Sequence, residues 1–405
     1  MTGRSSSSHT FAPRFGISFF LNRTAGRELV LRGGVGVFYD VGNGPGSQAL
    51  FGSNYPHAGS RDLRNVQFPL SESQLAPPVF NVAPPYPALF IAEPKLALPR
   101  TYQWNVTAEQ SLGSTQSISV AYVAAAGRRL LRKELMHPNA MFTNVYVTRN
   151  TATSDYHALQ AQFQRRLSRG LQAIASYTWS HSIDIASTES LYAIPSGSLD
   201  ARLDRGNSDF DIRHSLAAAV TYDLPGPRAS RSLKAVFGGW SVDSILRARS
   251  APPVYVIQRP ALGSLFGVTF VTRPNLILGV PLYLDDETVP GGRRLNPAAF
   301  AEVPSGQQGT LGKNVLRAFP ASQLDFAVRR QFTLFEGLRL QVRGEFFNLL
   351  NHPNFGPPVA IFGLPNFGRS QMMLNKSLGF DGTGLNERHQ LGGPRSIQLV
   401  AKLMF

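Results

Sequence analysis

The amino-acid sequence predicts an all-β protein built from antiparallel strands, and three of its features lead to that prediction. Many segments alternate apolar and polar side chains with a period of two residues. These segments are about 9 to 11 residues long, and the connections between them alternate between short and long. A period of two, with one apolar and one polar face, is typical of strands that lie between two unlike media.

The alternation is clearest in LRLQVRGEF, residues 338–346. Leu338, Leu340 and Val342 fall on one parity, whereas Arg339 and Arg343 fall on the other. The same pattern predicts about eleven strands, at residues 11–21, 28–40, 101–110, 115–125, 156–166, 171–180, 210–223, 239–249, 322–333, 338–348 and 395–405. A further hairpin hidden inside 250–320 would add two strands to this count.

Strand length and aromatic placement separate the two structures that fit the alternation. These are an antiparallel sandwich with one wet face per sheet and a membrane barrel with lipid outside and water inside. Crossing a bilayer takes about 9 to 11 tilted residues, whereas a globular strand usually has about 5 to 6. Membrane interfaces favour aromatic side chains. Such side chains lie near strand ends on the apolar parity, with Tyr222, Trp240 and Phe405 at one level and Tyr39, Tyr102 and Trp179 at the other.

The connections also favour the barrel. Short turns occur at 22–27, 111–115, 167–170 and 334–337, and a longer one at 224–238. Between them lie long segments rich in Gly, Pro and Asn, at 41–100, 126–155, 181–208, 250–320 and 351–394. Outer-membrane barrels have short periplasmic turns and long external loops. The sequence therefore predicts an antiparallel transmembrane barrel in the cell outer membrane.

Composition excludes several other classes of protein. Charged residues make up only 16%, and 40 Lys and Arg against 25 Asp and Glu give a net charge of +15. The arginines are spread singly through alternating strands, without the basic helix or aromatic motif of a nucleic-acid binder. We expect them to line an aqueous pore or to face anionic lipid headgroups. The chain has no cysteine, so no disulfide or cysteine-ligated metal is expected.

No apolar run approaches the roughly 18 residues of a membrane helix. The first residues, MTGRSSSSHTFAPRFG, lack the apolar region of a signal peptide. Two arginines, Arg165 and Arg330, fall on the parity expected to face lipid. Both lie near short turns, where a long side chain can reach the headgroups.

Catalytic and metal-binding patterns are weak in this sequence. Asp209, Asp211 and His214 lie close together in RGNSDFDIRH, where an external calcium site is conceivable. The favoured interpretation is that these polar side chains form hydrogen bonds and ion pairs with Arg205 and Arg213. We interpret His352, beside Pro353, as a turn residue. The sequence thus predicts no enzyme, no metal site and no cofactor.

The last strand, RSIQLVAKLMF, stops on an aromatic side chain. Its apolar parity consists of Ile397, Leu399, Ala401, Leu403 and Phe405. In a barrel the final phenylalanine would lie on the lipid face at the periplasmic rim. Alternating hydrophobic residues that end in Phe resemble the signal read by the outer-membrane barrel assembly machinery, so we predict that role for these five residues.

Longer segments resemble one family. RLNPAAFAEVPSGQQGTLGKNVLRAFPASQLDFAVRRQFTL (294–334) and LRLQVRGEFFNLLNHPNFGPP (338–358) are similar to the C-terminal barrel of Oar-type TonB-dependent receptors of the acidobacterial type. SYTWSHSID (176–184), RGNSDFDIRHSLAAAVTYDLPGP (205–227), GGWSVDSILRARSAPPV (238–254) and RPNLILGVPLY (273–283) fit the same family. The resemblance covers roughly residues 100 to 405.

The resemblance implies an outer-membrane transporter barrel of about 22 strands. In such proteins a signal peptide, a carboxypeptidase-regulatory-like domain and a plug precede the barrel, and the barrel works with a TonB-type energy transducer. None of those parts is recognisable here, so residues 1–405 are expected to form the C-terminal portion of a barrel of about 11–14 strands, a fragment of a longer protein. An odd strand count supports this, because complete bacterial barrels have even counts.

The predicted function is therefore outer-membrane uptake of an unknown substrate. Two alternatives stay open at this point. One is a passive porin-like barrel, and the other is a secreted β-sandwich module for adhesion or carbohydrate binding.

Overall fold

The computed structural model describes residues 10–40, 63, 66–77, 83–86, 89–136, 140–142, 145–187, 200–226, 233, 236–258, 272–304, 307–335, 337–377 and 392–405. Strands dominate this part of the chain. The helices are short, namely α1 (Glu72–Leu75), α2 (Leu374–Ser377) and the 3-10 turns Ala201–Asp204 and Pro297–Ala299. Within these ranges no helix has the length and apolar character needed to cross a membrane.

Eleven strands form one continuous antiparallel sheet, in which each strand pairs with the next one along the chain. They are β1 (Arg14–Asn22), β2 (Leu29–Tyr39), β4 (Arg100–Leu112), β5 (Gln116–Met136), β6 (Val145–Ser168), β7 (Leu171–Asp184), β9 (His214–Asp223), β10 (Trp240–Arg249), β18 (Ala321–Phe335), β19 (Leu338–Phe347) and β21 (Ser396–Met404). The eleven predicted strands are confirmed. Within the described ranges β1 and β21 are the two ends of the sheet and do not pair with each other.

The register of the sheet separates two faces, because directly opposed residues of paired strands point to the same side. Leu340 pairs with Leu403 and Val342 with Ala401 on one face, while Glu345 pairs with Gln398 on the other. The first face carries most of the exposed large hydrophobic side chains, and Leu399 there is 81% exposed. An apolar face that packs against nothing in the protein fits a lipid environment. We call it the lipid face and the opposite one the polar face.

β5 and β6 are longer than predicted. They extend well beyond 115–125 and 156–166, so much of the expected loop 126–155 is strand. The alternation is lost there because Arg132 and Glu134 are buried and so are Tyr146 and Val147. A register shift after Gly127 also interrupts the pairing. Burial on both faces removes the period-two signal on which the prediction depended.

The remaining ten strands are short and belong to the long-loop side of the sheet. They are β3 (Leu89–Ala92), β8 (Gly206–Asn207), β11 (Pro253–Val254), β12 (Ile257–Gln258), β13 (Asn275–Leu276), β14 (Tyr283–Asp285), β15 (Arg293–Leu295), β16 (Phe300–Ala301), β17 (Leu316–Arg317) and β20 (Ile361–Phe362). β3 and β8 pair with β6 and β7. The hairpin considered inside 250–320 exists as β14 and β15, but it lies outside the main sheet.

Residues of these short strands enclose a hydrophobic core that is separate from the sheet. It consists of Val254, Val256, Leu295, Ala299, Phe300, Leu311, Leu316, Ala318 and Phe367. The rings of Phe300 and Phe367 meet edge to face, with centroids 5.5 Å apart. We call the described parts of residues 252–320 and 354–374 the cap.

Arg165 and Arg330 lie on the lipid face, as their parity predicted. Arg330 is opposed to Trp240, and its guanidinium lies over the rings of Trp240 and Phe332, at 5.2 and 4.5 Å from their centroids. Arg165 lies between Gln116 and Ala173, close to the short turn, and its Nη2 is 3.5 Å from the Ser168 carbonyl oxygen.

Candidate functional site

The polar face of the sheet forms a charged wall. Arg329 is 3.4 Å from Asp243, and Arg343 is 2.9 Å from Glu345. Asp243, Arg343 and Glu345 contribute, with Arg247 and Asp325, to a cavity of about 370 Å³. Because acidic and basic side chains alternate along this wall, it can contact polar solutes of either charge. It is the surface that water or a solute would meet inside a closed barrel.

Where the sheet meets the cap, charged side chains are buried in pairs. We call this group the rim cluster; it consists of Arg132, Asp184, Asp204, Asp211, Arg273, Lys313 and Arg317. Lys313 is 1% exposed, and its Nζ donates to Asp184 Oδ1 at 3.0 Å and to the Ile185 carbonyl at 3.2 Å. Asp184 ends β7, and Lys313 lies in the cap. The pair therefore fastens the cap to the sheet.

Asp204 is the centre of a second buried group. Its carboxylate accepts hydrogen bonds from Arg273, at 2.7 Å, and from Arg132. Arg273 also donates to the carbonyl oxygens of Leu311 and Leu203. Buried charges are tolerated when they are paired and fully hydrogen-bonded. This group joins β5 and the 3-10 turn before β8 to the cap.

Asp211 is the third buried acid of the rim cluster. Burial alone would raise the pKa of Asp211, but a hydrogen bond from the Ser182 backbone N–H and ion pairs with Arg317 and Arg213 outweigh that effect. The net result is a pKa below its usual value, so the carboxyl group is held in its charged form.

The sequence prediction for Asp209, Asp211 and His214 is corrected in part. Arg213 pairs with Asp211 as expected, whereas Arg205 pairs with Asp155 at 2.8 Å. His214 points away from the two acids and hydrogen-bonds Tyr177 on the lipid face at 2.8 Å. The described residues contain no group of three or more His, Cys, Asp or Glu side chains able to hold a metal ion.

The segment NLLNHPNF (348–355) forms a hydrogen-bonded corner above β19. Asn348 and Asn351 adopt positive φ angles of 50° and 48°, which asparagine tolerates better than most residues. The buried Asn348 amide donates to the carbonyl oxygens of His352 and Gly393 at 2.9 Å. His352 is a turn residue here, because its contacts in this corner are made by its backbone.

The five residues of the predicted assembly signal lie on or directly after β21. Ile397, Leu399, Ala401 and Leu403 occupy the lipid face, and Phe405 is 97% exposed just beyond the strand. β21 pairs with β19 on one side only within the described ranges. None of these side chains contributes to the buried core of the cap.

A continuous antiparallel sheet with one lipid face and one charged face defines a membrane-spanning β-protein. Residues 2–389 match the model of a family described as an outer membrane beta barrel domain, and the chain belongs to that family. The predicted fold class and outer-membrane location are thus confirmed, and the secreted sandwich is excluded. The comparison with curated proteins found no match.

Solved structures of outer-membrane proteins are similar to this chain at low sequence identity. The outer membrane transporter YddB from Escherichia coli is 10% identical, with a TM-score of 0.48 over 93% of this chain and 38% of that one. The FrpB iron transporter from Neisseria meningitidis is 9% identical, with a TM-score of 0.46 over 97% of this chain and 39% of that one. The chain therefore spans about two fifths of the length of these structures.

Sequence reasoning missed the rim cluster. Five of its seven members lie in segments that resemble one family, 176–184, 205–227, 273–283 and 294–334, whereas Arg132 and Asp204 lie outside those segments. Lys313 and Asp184 are 129 positions apart, and no local pattern pairs them. The only available signal was that charged residues recur inside otherwise apolar or glycine-rich loops.

Proposed function

We propose that this chain is part of an outer-membrane transport barrel of the TonB-dependent, Oar-like type, which takes up an unidentified solute. The single observation that carries the proposal is the rim cluster together with the cap. A long loop with its own core, fastened to the sheet by buried ion pairs, is the construction expected where external loops must hold a shape that a ligand can recognise.

The charged wall supports the same proposal. Alternating acidic and basic side chains on the polar face give a solute successive weak contacts along the barrel interior, which favours passage over retention. A barrel wide enough for such a wall requires a plug to be selective. We infer that an energy transducer in the inner membrane acts on that plug, and that the barrel itself has no catalytic role.

We further propose that additional strands complete this barrel. Strands alternate in direction along the sheet, so β1 and β21, the first and eleventh, run the same way and cannot close the sheet by antiparallel pairing. In lipid, unpaired backbone groups on both strands would each cost several kcal/mol, of order 2–7. Strands from a longer polypeptide would satisfy these edges.

Conductance distinguishes an energised transporter from a passive porin. Protein extracted from native outer membranes would be placed in planar bilayers and its conductance recorded before and after addition of urea. We expect a closed barrel that opens when urea unfolds the plug. A stable open channel without urea would contradict the transporter proposal and identify a porin.

The edge argument has its own test. Residues 1–405 expressed alone should aggregate or fail to insert, because two strand edges would be exposed to lipid. Membrane insertion is measured by flotation of the protein with vesicles in a density gradient and by heat-modifiable migration on gels. A monodisperse, heat-modifiable, membrane-inserted product would contradict the need for further strands.

We also propose that Ile397, Leu399, Ala401, Leu403 and Phe405 are read by the barrel assembly machinery. Replacing Phe405 by Ala in the protein expressed from its native reading frame should lower the outer-membrane yield and leave precursor in the periplasm. The matched control is Lys402→Gln on the polar face, which should leave the yield unchanged. An unchanged yield for Phe405→Ala would argue against the signal, because this exposed side chain has no core to destabilise.

A further inference from the structure

The lipid face changes character towards the long-loop side of β4, β5 and β6. Successive rows across these strands can be followed from the register. Val106, Tyr122 and Leu159 share one row, and Trp104, Ala124 and His157 form the next row outward. Tyr122 Oη lies 2.7 Å from His157 Nδ1. This row of aromatic and imidazole side chains is typical of the interface between hydrocarbon and headgroups.

The next row outward, Tyr102, Ala126 and Asp155, contains a carboxylate, and arginines follow one row beyond it. We name Arg100, Arg128 and Arg205 the arginine triad. Arg100 is the first residue of β4, which ends at Leu112, and Arg128 is twelve positions after the start of β5 at Gln116. Crossing the bilayer uses about 9 to 11 residues. Arg100 and Arg128 therefore lie just beyond the hydrocarbon, at the depth of the outer-leaflet headgroups, and the ion pair with Asp155 holds Arg205 beside them.

The triad has too few acidic partners of its own. Arg128 and Arg205 share one carboxylate, that of Asp155, with Nη2 to oxygen distances of 2.6 and 2.8 Å. Arg100 and Arg128 are directly opposed on adjacent strands, an arrangement in which like charges repel. Within the described residues Arg100 has no ion pair, and its Nε has no hydrogen-bond partner. Three cations around one anion leave an excess of two positive charges.

The arrangement is open to the outside of the sheet. The side chains of Arg128 and Arg205 are 40% and 41% exposed, although the shared carboxylate holds both in place. Guanidinium groups bind phosphate through paired N–H donors, and two guanidiniums that are already positioned lose little freedom on binding. A solute inside the barrel cannot reach this group, because it lies on the lipid face.

We propose that the arginine triad binds the phosphate group of a lipid in the outer leaflet, with the acyl chains of that lipid packed along the row of Trp104 and Tyr122. The inference goes beyond the transport function. It rests on the membrane placement of the sheet and needs no assumption about the transported solute. The conductance experiment and the lipid-binding experiment can therefore contradict the two proposals independently.

The test measures the lipid retained by the protein. Protein expressed from its native reading frame is extracted from outer membranes in mild detergent, and bound lipid is identified by native mass spectrometry. The double variant Arg128→Gln with Arg205→Gln should lower retention of phosphate-bearing lipid about thirtyfold, since each basic side chain near an anionic surface contributes a factor of about five. The matched control, Arg329→Gln with Arg343→Gln, removes two ion-paired arginines from the polar face and should leave retention unchanged.

A second pair of measurements keeps the proposal falsifiable if the double variant folds poorly. Arg100→Gln breaks no ion pair among the described residues and should lower retention about fivefold. Asp155→Asn removes the competing carboxylate, so retention should be maintained or should rise. If retention falls with Asp155→Asn but not with Arg100→Gln, the triad is only structural and the proposal is wrong.

The source of the phosphate is tested by competition. Vesicles containing a diphosphorylated disaccharide lipid should restore the lipid to delipidated protein, and vesicles with the dephosphorylated form should not. An excess of inorganic phosphate should fail to displace the bound lipid. Displacement by inorganic phosphate, or equal binding of the dephosphorylated lipid, would overturn the assignment to a phosphorylated lipid headgroup.

Discussion

The membrane-crossing part of the sheet and the rim beneath the cap use charged residues in opposite ways. On the polar face of the sheet, charged side chains such as Arg329 and Arg343 are partly exposed. At the rim, Lys313 and Asp211 are each 1% exposed. Their charges are balanced by one or a few ion-pair partners. A charge on the sheet can be solvated when its partner is lost, whereas a charge at the rim cannot.

The two regions also differ in what stabilises them. The sheet has no buried side-chain core of its own on the lipid face, so its stability depends on the ladder of backbone hydrogen bonds and on the surrounding lipid. The cap has a small core around Phe300 and Leu316 and is fastened by the rim cluster. Mutations in the sheet should therefore act by changing its contacts with lipid. Mutations at the rim should act by leaving a buried charge without its partner.

The largest effect is expected from breaking the Lys313–Asp184 pair. Lys313→Ala leaves the Asp184 carboxylate buried without its ammonium partner, and removing one member of a buried pair costs about 3–5 kcal/mol. The cap should detach from the end of β7 while the sheet stays in the membrane. Limited proteolysis of intact cells would measure this as new cleavage between residues 272 and 320.

A double replacement separates lost charge from lost contact. Lys313→Met combined with Asp184→Leu removes both charges and keeps apolar volume, so most of the stability should return. If the double variant is as sensitive to protease as Lys313→Ala, the ion pair is not what fastens the cap.

A charge placed on the lipid face should have the next largest effect. Leu399 lies six residues from Phe405, near the middle of the hydrocarbon, where an arginine costs about 2–4 kcal/mol. Leu399→Arg should therefore reduce folding into vesicles, measured by heat-modifiable migration after urea titration. Gln398→Arg is the matched control, because the adjacent side chain lies on the polar face. Equal losses for both variants would mean that the two faces are not lipid and water.

Arg330 tests how the lipid face tolerates a charge near its edge. Arg330→Gln removes cation–π contacts with Trp240 and Phe332, worth about 0.5–1 kcal/mol at exposed sites. It also removes a lipid-facing charge that costs about 0–1 kcal/mol near the interface. We expect a net change below about 1 kcal/mol in urea titration. A loss of several kcal/mol would place Arg330 on the water side of the sheet.

The smallest effect is confined to acid. The pKa of Asp211 is lowered in the folded protein from an ordinary value of 3.8. A lowered pKa contributes stability that is complete above 3.8 and is lost as the pH falls through the folded value. The protection factor of the Ser182 amide, which donates to Asp211, corrects the observed hydrogen-exchange rate for its intrinsic pH dependence. It should stay high at neutral pH and fall only below about pH 3.8.

The control for this prediction is Asp211→Asn. It removes the titrating group, so the protection factor of the Ser182 amide should be lower at neutral pH and should no longer fall in acid. Loss of protection already near neutral pH would argue against Asp211 as the group that controls it.

Much of the sheet could be predicted because its cause is local. The parity of Leu340 and Val342 against Arg339 and Arg343 assigned those residues to opposite faces, and the register agrees. The extensions of β5 and β6 were not predicted. Arg132 and Tyr146 are both buried there, so the residues do not alternate between an exposed polar face and an apolar face. Packing on both faces leaves no period for a sequence to show.

The sequence by itself determined how many strands cross the membrane, which way their side chains point and where the short turns lie. These follow from two unlike solvents acting on a chain whose side chains alternate every residue. Only the tertiary structure decided which charges meet at the rim. Asp184 and Lys313, or Asp204 and Arg273, are joined across 129 and 69 positions by the folding of the cap, and their pairing depends on burial, which no local stretch of sequence contains.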